Sequence, residues 1–262
     1  MGITEDDAEL TDPGTVPTDC DPDPEASRRA RQIAARLAVS RPRGDVTARR
    51  GAGELVSVHY RDSSDEIDLD ATLDRLVEHP MPDDDDIIVR ERVTTRRSVV
   101  LIVDVSGSMR GERVRTAAAT VGALYGELEH DDLAVVAFWS DAAILAHLGQ
   151  RLPAGRLLDT LLRIPAKGLT NLSFPLETAQ RELARIPARD ARVLLLSDCV
   201  HNAGPDPRLV ATHLPRLDVL VDTSGEHDTD LARDLARFGH GRLARVSTYR
   251  DVAPALVNLF DR

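Results

Sequence analysis

Cysteine, lysine and long apolar runs are scarce in this sequence. Cys20 and Cys199 are the two cysteines among 262 residues, too few for a disulfide framework, so a reducing compartment and a cytoplasmic location are expected. No stretch approaches the roughly 18 apolar residues of a membrane-crossing helix, so no membrane association is expected. The opening MGITEDDAELTDPG is acidic and has no apolar centre, unlike a secretory signal. No GxxxxGK[ST] segment occurs, so the chain brings no nucleotide-binding loop of that kind. Lys167 is the one lysine, and arginine supplies the other 32 of 33 basic residues, a bias that genome composition can produce by itself. A formal net charge of −11 argues against a general nucleic-acid binder.

What is present divides into three stretches. Residues 1–24 hold eight acids, four prolines and no base, and bury too little apolar area to offset ordering entropy, so this tail is expected to be disordered. Residues 25–97 read as a small N-terminal extension. Its first part, 28–50, reverses the charge with eight arginines against Asp45, and Ser27 is placed to cap a helix over about 28–39 before RPRGD ends it. This is a solvated helix and linker, or else an arm for an acidic partner. GELVSVHY and IIVRERV alternate as half-buried strands do. Between them, DLDATLDRLVEH sets Leu69, Leu73, Leu76 and Val77 on one helical stripe behind an N-cap at Asp68. The run PMPDDDD reads as a loop, its acids solvated or facing an arginine-rich partner.

Residues 98–262 change rhythm. Short apolar runs at 99–103, 133–138, 143–147, 193–196, 219–221 and 242–246 alternate with helical patterns over about 112–129, 173–186, 207–213, 229–238 and 251–260. Asp206-Pro207 is a cap followed by a first-turn proline, and Gly239 stands where a helix should stop. The alternation predicts an α/β fold: a doubly wound, mostly parallel six-stranded sheet with helices on both faces. Only WSDA separates the second run from the third, a hairpin length, so one edge strand is expected to be antiparallel.

The sharpest motif is Asp104-Val105-Ser106-Gly107-Ser108 at the end of the first run. In doubly wound sheets ligands bind beyond the carboxyl ends of strands, where strand order reverses. With the order 3-2-1-4-5-6, the fourth strand lies beside the first and its end, Ser197-Asp198, faces Asp104 and the two serines. Two carboxylates and two hydroxyls make an oxygen-only cluster, and the repulsion between like charges is relieved most simply by a cation. Oxygen ligands favour Mg²⁺ or Mn²⁺ over Zn²⁺. Thr170, in the loop KGLTNLS, has a hydroxyl placed to complete the shell. The plainer readings are a helix cap for Ser108, a turn cap for Asp198 and a loop hydroxyl for Thr170.

DVSGS, GLTN and LLLSDC together resemble the three parts of the metal-ion-dependent adhesion site (MIDAS) of von Willebrand factor type A domains. Asp104, Ser106, Ser108, Thr170 and Asp198 match its pattern position by position, over a resemblance spanning roughly residues 98–262. It implies that Ser106, Ser108 and Thr170 contact the cation, that Asp104 and Asp198 act directly or through water, and that a partner protein's carboxylate fills the remaining corner. DSSDEIDLDATLDRL followed by IIVRERVTTRRSVVLIVDVSGSM further resembles intracellular bacterial proteins of the CoxE-like group and the C-terminal part of magnesium-chelatase D subunits. These are companions of MoxR-type AAA+ ATPases. The implied function is a non-enzymatic, divalent-cation-dependent adaptor for such an ATPase or its client. The alternative is a chelatase-like enzyme subunit contributing to metal insertion, although the AAA+ half of a chelatase D subunit is missing here.

Other constellations have weaker claims. Ser106, Asp198 and His227 stand in the chain order of a hydrolase triad, but Asp104 and Ser108 occupy the positions where a nucleophile elbow needs glycine. Asp104 as a phosphoryl acceptor lacks the usual second acid two residues on, where Ser106 stands. Cys199, His201 and Asn202 lack four-ligand metal spacing and read as a buried thiol and a rim-shaping loop. Asp222-Thr223-Ser224-Gly225 reads as a strand-to-helix turn or a neighbouring rim loop. Phe138 reads as core, and Trp139 as core or a partner contact.

Overall fold

The computed structural model describes residues 10–11, 28, 54–60, 67–79, 86–93, 97–105, 117, 120–122, 124, 131–139, 141–150, 152–164 and 169–260. The chain divides into two compact units: residues 42–96, and residues 1–41 together with 97–262. Strands are β1 (Leu10–Thr11), β2 (Glu54–His59), β3 (Ile88–Val93), β4 (Ser98–Asp104), β5 (Asp132–Phe138), β6 (Ala142–Ala146), β7 (Ala191–Ser197), β8 (Leu217–Asp222) and β9 (His240–Val246). Helices are α1 (Leu69–Glu78), α2 (Ala154–Arg163), α3 (Ser173–Leu183), α4 (Pro207–Ala211), α5 (Thr229–Phe238) and α6 (Val252–Phe260). Residues 117, 120–122 and 124, within the helix expected over 112–129, are helical. Ser27 and the rest of the helix expected over 28–39 lie outside the described residues, apart from a helical Arg28.

In the smaller unit, β2 and β3 pair antiparallel and α1 is tied to β3 by polar contacts. Asp68 caps α1, accepting from the Ala71 N–H at 3.3 Å and from Ser57 Oγ at 2.6 Å. Arg90 Nε on β3 donates to the same carboxylate at 3.2 Å. Thr72 Oγ1 accepts from the Ile88 N–H and donates to the Ile88 carbonyl oxygen. The cap was legible in the sequence, but the apolar stripe is not the packed face. Leu69, Leu73 and Val77 are 67%, 58% and 84% exposed, while Asp68 and Thr72 are buried. Asp68 is satisfied by Ser57 and Arg90 and Thr72 by the Ile88 backbone, so hydrogen bonds join α1 to the two strands.

The larger unit holds a seven-stranded sheet ordered β1-β6-β5-β4-β7-β8-β9. The six strands from β4 onward keep the expected 3-2-1-4-5-6 order, mostly parallel, with β6 antiparallel to β5. The seventh strand is an addition. Leu10 and Thr11, inside the tail expected to be disordered, pair in parallel with β6. An edge strand's backbone offers unpaired N–H and C=O groups to which a further short strand can add.

All seven residues of β4 are buried. Its alternation divides the interior, as the two-residue period of a strand requires. Val99, Leu101 and Val103 face a core with Leu157, Leu161, Val121, Leu124, Leu256 and Leu259. Val100 and Ile102 face the other core, with Leu176, Ala179, Leu231 and Leu235. Helices on both faces force β4 to be apolar throughout, so its run ends only where the sheet ends, at Asp104. The sequence pattern missed α2. Pro153 at its N-cap offers no side-chain hydrogen bond, so the usual start signal is lacking. Gly239 does stop α5, but with φ −84° it is not a left-handed cap. A Cβ there would lie 2.3 Å from Leu217 Cβ, so close packing selects the glycine.

At the amino ends of β7 and β8, Asp218 is fully buried and paired with Arg192 at 3.2 Å and Arg216 at 3.1 Å. It also accepts from the Arg242 N–H at 2.8 Å. Burial pushes the Arg192 guanidinium down to about 10, with Asp218 holding the charge in place. Asp218→Asn is expected to lower unfolding stability by about 3–5 kcal/mol, because it leaves buried guanidinium charge uncompensated. Urea denaturation of both proteins measures this, and a change near zero contradicts the pairing.

Candidate functional site

The site begins with strand register. Val103 on β4 pairs with Leu196 on β7, so Asp104 lies level with Ser197, and Asp198 comes one residue beyond. On its other side Asp104 pairs with Phe138 of β5. Asp104 and Asp198 are both buried, as is Thr170. Ser197 Oγ donates to Asp104 Oδ2 at 2.6 Å and accepts from the Cys199 N–H at 2.9 Å, so one serine links the ends of β4 and β7. Asp198 Oδ1 accepts from the Val200 N–H at 3.1 Å, fixing the carboxylate in a tight turn. Its carbonyl oxygen accepts from the Asp228 N–H at 2.9 Å, just before α5.

The loop of Thr170 is bonded to the segments that follow both strands flanking β4. The Thr170 N–H donates to Asn202 Oδ1 at 2.6 Å and its carbonyl oxygen accepts from the Asn202 N–H at 3.2 Å, on the β7 side. The next residue, Asn171, donates its N–H to the Trp139 carbonyl oxygen at 3.3 Å, on the β5 side. Because β4 lies between β5 and β7, the 169–172 loop bridges above the end of β4 where Asp104 stands. Asn171 Oδ1 accepts from the Ser173 and Phe174 N–H groups and caps α3. Gly204, at φ +79°, lies against that amide: a Cβ would come within 2.5 Å of Asn171 Oδ1. His201 Nδ1 accepts from the Leu172 N–H at 3.3 Å, so the ring is neutral at that nitrogen. Burial lowers the affinity of His201 for a proton, against the opposing pull of the Pro205 and Gly204 carbonyls and Asp206.

The electrostatics converge on Cys199, buried and held at φ +59°. Burial, and then the fields of Asp104, Asp198 and Asp228, push its thiol pKa well up. A thiol in that setting is not a reactive thiolate. Asp104 and Asp198, at the ends of adjacent strands, are the two acids of the candidate site. Oxygen donors from two acids and a hydroxyl suit a hard divalent cation. Among the described residues, no three His, Cys, Asp or Glu side chains group as a metal site. Ser106 and Ser108 lie outside the described residues.

The competing constellations resolve into scaffolding. His227 Nδ1 is engaged by the Gly225 carbonyl oxygen at 2.7 Å, not by a carboxylate. Asp222 Oδ1 accepts from the Ser224 N–H and Thr223 is bonded to Val246 on β9, so this segment is a locked turn. Trp139 is 7% exposed and belongs to the core. Asp86, the last of the aspartate run, lies 3.3 Å from His79 Nδ1. Ser197, Asn171 and Asn202 were not singled out for these positioning bonds. Their signal was only adjacency to Asp198 and Thr170, which no local pattern distinguishes from ordinary loop polarity.

Residues 99–201 match the family model of the von Willebrand factor type A domain. Solved structures of the same fold include an aerotolerance-related membrane protein from Bacteroides fragilis, at 15% identity and a TM-score of 0.52, covering 62% of this chain and 98% of that one. The manganese-loaded TRAP protein of Plasmodium vivax has 19% identity and a TM-score of 0.50, covering 62% and 72%. Proximal thread matrix protein 1 of the mussel byssus, with a zinc-occupied MIDAS motif, has 13% identity and a TM-score of 0.53, covering 64% and 48%. At such identities the likeness shows the fold, a type A, Rossmann-like α/β architecture. No curated protein matches the sequence. No helix among the described residues is long and apolar enough to cross a membrane.

Gly204→Ala is expected to cost about 1–3 kcal/mol, since the added methyl meets the Asn171 amide at a left-handed backbone position. Thermal denaturation tests this, and an unchanged melting temperature contradicts it. His201 also gives stability a pH dependence. The unfolded ring takes up a proton near its ordinary pKa of ~6.5 while the folded ring resists, so stability holds above that pH and falls below it. His201→Gln should flatten that decline in urea titrations between about pH 8 and about pH 5.

Proposed function

We propose that this protein is a divalent-cation-dependent protein-binding module, with the cation held by Asp104, Ser106, Ser108, Thr170 and Asp198. One observation supports the reading: the Thr170 loop is hydrogen-bonded to the segments that follow both strands beside β4, through Asn202 and Trp139, and the buried Asp104 ends β4 one residue from the level of Asp198. Sequence places Ser106 and Ser108 directly after that strand end. Mg²⁺ or Mn²⁺ fits the donor set, and such an ion supplies a corner that accepts a carboxylate from a second protein. The chain's own part is to hold the donors in place. Ser197 fixes Asp104, the Val200 N–H fixes Asp198, and Asn202 fixes Thr170. In this reading the act is binding and not bond-breaking, since Asp104 and Ser108 stand where a nucleophile elbow around Ser106 needs glycine. The metal-loaded TRAP protein and the zinc-occupied mussel protein carry ions within the same fold, which supports the ion class.

The partner in this reading is a MoxR-type AAA+ ATPase or its client, in the cytoplasm. Its support is the resemblance of the segment leading into β4 to CoxE-like proteins, together with the absence of a GxxxxGK[ST] loop in this chain.

Mg²⁺ or Mn²⁺ at about 100 times its Kd should stabilise the protein by about 2.7 kcal/mol, read as a raised melting temperature. Asp104→Ala and Ser106→Ala should each remove most of that rise. A rise that persists in both contradicts the ligand set. Affinity purification should recover the ATPase or its client in Mg²⁺ and lose it in EDTA, and equal recovery contradicts a metal-mediated contact.

A further inference from the structure

The sheet ends on one side in the two-residue β1 and on the other in β9, which spans seven residues and, among the described residues, pairs with β8 alone. Bonds around β9 fix which of its backbone groups are used. The Thr223 N–H donates to the Val246 carbonyl oxygen at 2.8 Å, so Val246 turns toward β8. Backbone direction alternates along a strand, so Ala244 turns the same way, and Leu243 and Arg245 turn their N–H and C=O groups away from the sheet. Past the strand, the Ser247 and Thr248 N–H groups are taken by Asp251 Oδ2, at 3.1 and 2.9 Å. Before Leu243 the register shifts, and the Arg242 N–H donates to Asp218 Oδ1. The open edge is therefore the Leu243–Arg245 stretch, with the outward groups that a further strand requires.

That edge is basic in an acidic chain. Residues 235–250 hold four arginines and no acid, whereas the whole chain has a net charge of −11. Arg237 and Arg245 are exposed, and no carboxylate among the described residues pairs with either. Leu243 packs against the core that holds Leu231 and Leu235 of α5, and Ala244 against the core that holds Leu256 and Leu259 of α6. Side-chain alternation thus sets Arg245 on the α5 face, and α5 is the helix that carries Arg237. Phe238 on α5 and Val257 on α6 are exposed, so each helix beside β9 offers one apolar contact. Two copies of β9 paired edge to edge bring arginine-bearing strands together. Like charges across a strand pair are destabilising, so the charge disfavours a second copy of this chain. An acidic strand meets the same edge with the opposite charge.

We propose that the β9 edge takes up an extended acidic segment of a partner protein by strand addition. Backbone bonds to the N–H and C=O groups of Leu243 and Arg245 supply the attachment, and carboxylates on the α5 face meet Arg245 and Arg237. Exposed charge pairs of this kind select the sign of the partner, and their contribution falls as salt rises. The contact uses no ion, so it stands or falls separately from the cation reading.

The test uses the full chain in EDTA, with the synthetic peptide acetyl-VEVEVEV-amide as probe. Amide hydrogen exchange is followed residue by residue by NMR. The peptide should slow exchange at Leu243 and Arg245 by about 10-fold or more, while Ala244 and Val246, already turned to β8, change little. R237E/R245E should bind the peptide about 10-fold more weakly, and acetyl-VKVKVKV-amide should give the wild type no protection. The acidic peptide with its backbone amides methylated keeps the charge, loses the donors and should not bind. No slowing at Leu243 and Arg245, or undiminished binding to R237E/R245E, would overturn the proposal. Equal binding of the methylated peptide would also overturn it, since charge alone would then suffice. So would protection of the two amides without peptide that grows with protein concentration, because the occupant would then be a second copy.

Discussion

The constraint on which this structure depends is the burial of β4 on both faces between two parallel neighbours. A strand in that position has no polar side and no free edge, so its first opportunity to carry a charge is at its end. Asp104 takes that position, and Ser197 meets it from the adjoining strand. Everything distinctive about the site follows from strand ends brought level by hydrogen-bond register. The loops then add donors above a rigid floor, an arrangement that favours geometric precision at the site.

The positioning bonds come mostly from residues that are not candidate ligands. Asn202 holds the backbone of Thr170, Asn171 caps α3 while its backbone ties the loop to Trp139, and Gly204 leaves room for the Asn171 amide. The loop after β7 thus both carries Asp198 and, through Asn202, is hydrogen-bonded to the backbone of Thr170.

Much of this was legible in the sequence. The hairpin into β6 and the ends bearing Asp104 and Asp198 follow from apolar runs and loop lengths, and the strand order is the usual one of a doubly wound sheet. Asp68 and Asp206 announced their helices, and both side chains accept the expected N–H bonds. The failures have physical causes. The α2 helix lacks a capping side chain, and so lacks punctuation. The stripe Leu69, Leu73 and Val77 implied a packed apolar face, but Asp68 and Thr72 make the contacts with β3. The strand β1 is two residues long, too short to show an alternation in the sequence, and is defined by its pairing with β6. Asn202 and Ser197 act through hydrogen bonds between segments distant in the chain, which no local spacing reveals.

The position of Cys199 has a practical consequence. Its thiol belongs to the same loop as Asp198, shielded from solvent and disfavoured as an anion first by that burial and then by the acids around it. Alkylating reagents therefore reach it only when that loop lifts. The rate at which this sulfur is trapped becomes a clock for the opening of the strand-end loops, built into the chain without any added label.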